Sequence, residues 1–85
     1  MFLREKIKNM TYLEFKHEFD TNILPNKPTF IRKGQAIINY LADVWFEEYK
    51  RISSEQYRDV DCFYNDKLIT NTLNHLEKVW SQYPN

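Results

Sequence analysis

The chain reads as an all-α protein, a small three-helix bundle with a short fourth helix, organised on one long central helix. Three observations predict this. Apolar residues return every three or four positions across residues 30–52, capping-box patterns at Thr11 and Ser53 mark helix starts, and no stretch alternates apolar with polar as a half-buried strand would. With 85 residues there is room for one domain, spanning residues 1–85. A chain this short buries only about 60 to 65% of its extended surface. Its core is therefore small, and each element has to pack along the central helix.

Residues 1–10, MFLREKIKNM, are basic and only partly apolar, and are expected to form a loose arm or a single helical turn. Their charges are spread where a secretory signal would have an apolar core. Met10 stands directly before the first helix start and offers an alternative initiation site. Thr11-Tyr12-Leu13-Glu14 is a capping box, so the first helix starts near Tyr12 and buries Tyr12, Phe15 and Phe19 on one side. Asp20-Thr21-Asn22 is expected to break it, and Pro25 and Pro28 to keep the following linker extended or turned.

Thr29 is the expected N-cap of the central helix. From there Phe30, Gly34, Ile37, Ile38, Leu41, Val44, Trp45, Tyr49 and Ile52 share one arc of the helical wheel, with Arg32, Asn39, Asp43, Glu47 and Lys50 opposite. Gly34 is the only glycine and costs up to about 1 kcal/mol relative to alanine inside a helix, which predicts a close helix crossing there. Ser53 and Gln56 predict a short helix near residues 54–58, and Cys62 and Phe63 are expected to point inward. Asn65 or Asp66 then caps the last helix, with Ile69, Thr72, Leu73, Leu76, Val79 and Trp80 on its buried face.

Composition narrows the function. Twelve basic and twelve acidic residues cancel, which argues against a strongly basic nucleic-acid-binding domain and against an acidic mimic of nucleic acid. Residues 1–33 carry seven Lys/Arg and four Asp/Glu, a balance of +3; residues 34–85 carry five and eight, a balance of −3. One cysteine, Cys62, allows no intrachain disulfide and fits a reducing, cytoplasmic setting. No apolar run approaches the roughly 20 residues of a membrane span.

No catalytic centre, cofactor or metal site is expected. Asp59, Asp61 and Asp66 lack the central glycine and terminal glutamate of a calcium loop, and are read as helix-capping carboxylates. His17, Cys62 and His75 do not have zinc spacing, and a cysteine with a distant histidine is only the minimal ingredient of a thiol nucleophile. A single glycine cannot make a phosphate loop. Glu48 lies inside the apolar arc; it is either wet at the helix end or buried against Arg58 or Lys67.

Six Phe, six Tyr and two Trp are more rings than a core this size easily hides. Phe46 projects among Gln35, Asn39 and Lys50, where it is either covered by another segment or offered to a partner, and Tyr40 stands on the opposite flank. The expected function is therefore a non-enzymatic interaction module docking on a protein partner, a second copy of itself included. Its candidate partner-binding residues are Tyr40, Phe46 and Lys50, with the basic cluster Lys27, Arg32 and Lys33 at the start of the central helix. That cluster also supports the alternative, a small nucleic-acid-binding regulator, because helix N-termini attract anions.

The residues Arg32-Lys33-Gly34-Gln35-Ala36, Asn39, Leu41, Asp61-Cys62-Phe63-Tyr64-Asn65-Asp66, Leu68 and Leu73 resemble a pattern in small open reading frames of bacteriophages and prophages, over roughly residues 26–80. The resemblance implies a bacterial or phage cytosol and an accessory role, of which inhibition of a host defence such as CRISPR is one. It carries over no catalytic residue.

Overall fold

Thr11 opens the first helix as its sequence requires: its hydroxyl accepts from the Glu14 N–H at 3.1 Å, and the Glu14 carboxylate accepts from the Thr11 N–H at 2.9 Å. The structure, a computed structural model, describes Ile7 and residues 10–83. The other residues of the expected arm lie outside that set, but Ile7 is only 2% exposed and belongs to the core.

Helix α1 (Tyr12–Glu18) does not stop at Asp20. It widens into a π-helical turn (Phe19–Ile23) and continues as α2 (Leu24–Asn26). The polar residues expected to break it bond along it instead. Thr21 Oγ1 donates to the His17 carbonyl at 2.8 Å, Asn22 Nδ2 donates to Glu18 Oε2 at 2.7 Å, and Lys16 Nζ pairs with Asp20 at 2.6 Å. Pro25 has no N–H to donate and crowds the carbonyl four residues back. The wider π turn ahead of it, closed by the Leu24 N–H on the Phe19 carbonyl, gives the ring room. Only Pro28 acts as expected, holding Lys27 extended (φ −71°, ψ 150°).

The central helix starts later and is divided. Thr29 is not its cap: residues 29 and 30 form a turn, and α3 (Lys33–Val44) begins after Arg32. At Trp45 the backbone leaves helical space (φ −144°, ψ 78°) before α4 (Phe46–Ile52) resumes. The expected unbroken rod over residues 30–52 is thus two helices. They stay joined, because Trp45 N–H donates to the Leu41 carbonyl at 2.7 Å and Tyr49 N–H to the Trp45 carbonyl at 3.0 Å. The break seats the Trp45 indole edge-on to Trp80 and Tyr83, with centroids 5.2 and 5.4 Å away.

Ser53 remains helical (φ −73°, ψ −8°) as the C-cap of α4 and cannot also serve as an extended N-cap, so the second capping box does not form. A 3₁₀ turn (Glu55–Tyr57) follows instead of an α-helix. Asn65 accepts from the Lys67 N–H at 3.0 Å and starts a second 3₁₀ turn (Asp66–Leu68), which runs into α5 (Ile69–Ser81). Thr72, Leu76 and Trp80 are buried on α5, with Ile69, Leu73 and Val79 half-buried beside them. The fold is a small all-α bundle, and the described residues include no strand.

Trp80 is the hub of the core. Tyr12, Phe15 and Trp45 surround its indole at 6.2, 5.1 and 5.2 Å, and its Nε1–H donates to the Met10 carbonyl at 2.9 Å. Such ring pairs contribute about 0.5–1.5 kcal/mol each beyond the area they bury.

Candidate functional site

The start of α3 and the loop before α5 are clasped together. Gly34 permits this. A Cβ on residue 34 would stand 2.3 Å from the Cys62 carbonyl oxygen and 2.7 Å from Asp66 Oδ1, closer than any side chain tolerates. The close approach expected at Gly34 is therefore real, but its neighbour is loop backbone and not a crossing helix. Through the gap Asp66 Oδ1 accepts from the Gly34 N–H at 3.1 Å and lies 3.5 Å from Arg32 Nε, while Arg32 Nη2 donates to the Phe63 carbonyl. Cys62 Sγ–H donates to the Gly34 carbonyl at 3.4 Å.

The clasp changes the chemistry of the basic cluster. Nothing local caps α3; the Asp66 carboxylate takes that place from 32 residues away and meets the anion preference of a helix N-terminus internally. Arg32 is engaged with the same carboxylate. Lys33 is exposed, Lys27 half-buried, and neither forms an ion pair among the described residues. Asp61 Oδ1 accepts from the Phe63 N–H at 2.9 Å and shapes the loop. Among the described residues no three His, Cys, Asp or Glu side chains converge on one point.

Glu48 is fully buried, so the wet alternative is excluded, and its cation is neither Arg58 nor Lys67. Oε2 meets His75 Nε2 at 2.7 Å, and Arg51 Nε lies 3.2 Å from Oε1. The Arg51 contact is one of charge, since Oε1 has no aligned hydrogen bond. His17 is exposed on α1. Cys62 and His75 have different polar partners, and burial pushes the Cys62 thiol above its usual range while a hydrogen bond with Thr72 pulls the other way. A buried, protonated thiol is a poor nucleophile.

The other candidate residues lie on α3 and α4. Tyr40 stacks on Phe15 (4.9 Å, 17°), and burial raises its hydroxyl pKa, with Glu18 and Asp43 adding to the shift. Phe46 is half-buried, tilted against Tyr49 at 5.6 Å with Lys50 Nζ 5.4 Å from its centroid. Among the described residues, the large apolar side chains that do stand in solvent are others: Leu13 (74% exposed), Phe30 (81%) and Tyr64 (84%). Phe30 was expected on the buried arc; it is exposed because the helix starts three residues after it. Leu13 carried a signal, lying off the Tyr12/Phe15/Phe19 stripe. Tyr64, between turn-forming Asp61 and Asn65, carried a weaker one. Phe30 and Tyr64 each lie within two residues of the Arg32–Phe63 hydrogen bond, so both frame the clasp.

Between α1 and α3 the surface is open. A depression of about 760 Å³ is lined by Met10, Leu13, Ile23 and Tyr40 with Glu14, Glu18 and Asp43. It shares Met10 and Leu13 with one of about 580 Å³ beside Trp80, and Ile23, Tyr40 and Asp43 with one of about 370 Å³ near Pro28. The three adjoin one another through these shared residues and together make a trough. No helix among the described residues is long and apolar enough to cross a membrane. Set beside protein-family models, curated proteins and solved structures, the chain matches none of them.

Proposed function

We propose that this chain is a non-enzymatic helical interaction module whose partner is a protein. The observation that carries the reading is the exposure of Leu13, Phe30 and Tyr64 by a domain that fully buries Phe15 and Phe19 and nearly all of Trp80. Leaving large apolar groups wet forgoes about 1.5–3 kcal/mol each, and aromatic anchors of this kind are enriched at protein interfaces. In the setting that the bacteriophage resemblance implies, the partner is a host protein. Two of the groups that could have worked as catalysts, Glu48 and His75, bond to each other, and the Cys62 thiol is buried. The engagement of Arg32 by Asp66 weighs against the alternative of a nucleic-acid regulator, because it takes one of the three cations of the cluster at the start of α3 away from a phosphate backbone.

The test is affinity capture from bacterial lysate with the full chain and with the triple variant Leu13→Ser/Phe30→Ser/Tyr64→Ser, alongside light scattering of both. The variant is expected to melt at a similar temperature and to lose the captured protein or the self-association. Capture and association unchanged in the variant would overturn the reading.

A further inference from the structure

We propose that the trough along α1, the π turn and α3 receives a basic, amphipathic helix of a partner protein. This rests on the reading of the chain as a protein-interaction module and specifies what the partner must bring.

Length comes first. The rod from α1 through α2 covers residues 12–26, about 22 Å at 1.5 Å rise per residue, which matches roughly four turns of a docked helix. The apolar floor is available throughout: Met10 and Leu13 at one end, Ile23 and Tyr40 in the middle, Ile31 at the other. A helix that lays residues i, i+3, i+4 and i+7 into a groove needs such a row of apolar seats.

Charge gives the sign of the partner. Of the eleven Asp and Glu side chains among the described residues, five (Asp20, Glu47, Glu48, Glu55 and Asp66) are in ion pairs. Four of the other six, Glu14, Glu18, Asp43 and Glu77, line this trough, against one lysine, Lys27, and the side chain of His17 among the described residues. Their field is felt by the tyrosines between them. Burial raises the Tyr40 hydroxyl pKa first, and Glu18 and Asp43 raise it further; for Tyr12 burial again leads, Lys16 opposes, and Glu77 adds to the rise. A surface apolar along its floor, whose rim carboxylates are in no ion pair among the described residues, complements a helix with leucine-like residues on one face and Lys or Arg flanking them. The same rim repels a polyphosphate chain or an anionic lipid surface.

The full chain, labelled with ¹⁵N, is titrated with a 16-residue helical peptide of leucine and lysine, the leucines at i, i+3, i+4 and i+7. A second titration uses its leucine–glutamate counterpart. The lysine peptide is expected to shift the amides of Leu13, Ile23 and Tyr40 and to bind at least about tenfold more tightly than the glutamate peptide. Glu18→Gln/Asp43→Asn should weaken it about five- to tenfold and flatten its salt dependence, while Phe30→Ser/Tyr64→Ser should leave it unchanged. Equal binding of the two peptides, shifts confined to the clasp, or no binding of the lysine peptide would each overturn the proposal. If the peptide fails while the triple serine variant still loses its captured protein, the interaction module stands and only the trough's role falls. If that variant keeps its capture, the broader reading fails first.

Discussion

The clasp and the trough are built from the same residue types and differ in whether their charges are answered from within. At the clasp, Asp66 takes the Gly34 N–H and lies beside the Arg32 guanidinium, and the Cys62 thiol bonds to the Gly34 carbonyl. Glu48, a turn beyond Trp45, is answered by His75 and Arg51. Along the trough, Asp43 and Glu77 form no ion pair among the described residues, and the apolar floor is open to the depressions that line it. Polar groups closed inside a fold specify its geometry; the same groups left open are available to another molecule. A carboxylate alone therefore does not mark a functional site in this chain, and its partnership is what separates structural from available.

The contrast can be broken by substitution, and the largest effect is expected at Glu48. Glu48→Ala leaves His75 without its partner in a closed interior and should cost about 3 kcal/mol or more in denaturant unfolding; a loss below about 1 kcal/mol would mean the pair is not closed. Gly34→Ala comes next and is decided by sign. Helix propensity alone would stabilise it by about 1 kcal/mol. The approach of Cys62 and Asp66 to the new methyl should instead destabilise it by about 1–3 kcal/mol. Ala36 is no control for this, being buried itself at 5% exposure; Lys33→Ala, on the exposed side, is one.

A smaller effect concerns Cys62. Burial raises its folded-state pKa above the unfolded value, so its contribution to stability is complete below the unfolded thiol range, about pH 8.5. That contribution is lost as pH rises through the folded value. Urea midpoints measured from pH 7 to 10 should fall, and fall less in Cys62→Ala. The smallest change is expected in the trough, where Asp43→Asn should stay within about 0.5 kcal/mol of the parent in the same unfolding assay. A large loss there would show that Asp43 is structural after all.

Much of the bundle was legible because short-range rules determine it. The Thr11 capping box, the α5 stripe and the cap at Asn65 rest on spacings of two to four residues, and all three form. The unbroken rod over residues 30–52 was not legible as two helices, because what interrupts it at Trp45 is company from the far end of the chain, Trp80 and Tyr83. The same limit hid the partners of Glu48, one a helical turn away and the other on α5, and the exposure of Phe30, which follows from a helix start set by a distant carboxylate. Asp20-Thr21-Asn22 misled for a local reason. Their side chains compete with backbone bonds in most settings, but here they bond within the helix, and a π turn absorbs the proline that follows. Of the candidate site residues, Arg32 and Lys33 fall at the clasp, Tyr40 and Lys27 at the trough, and Phe46 with Lys50 beyond both.

The distant cap on α3 also orders events in time. On a ribosome the Gly34 amide in the first turn of α3 is made well before Asp66, which follows it by 32 residues, and until Asp66 emerges it lacks that partner. Closing so long a loop costs entropy that later contacts must recover. The first turn of α3 is thus a late step in the maturation of the nascent chain. Truncation anywhere before residue 66 would leave that turn frayed, however complete the helix beyond it.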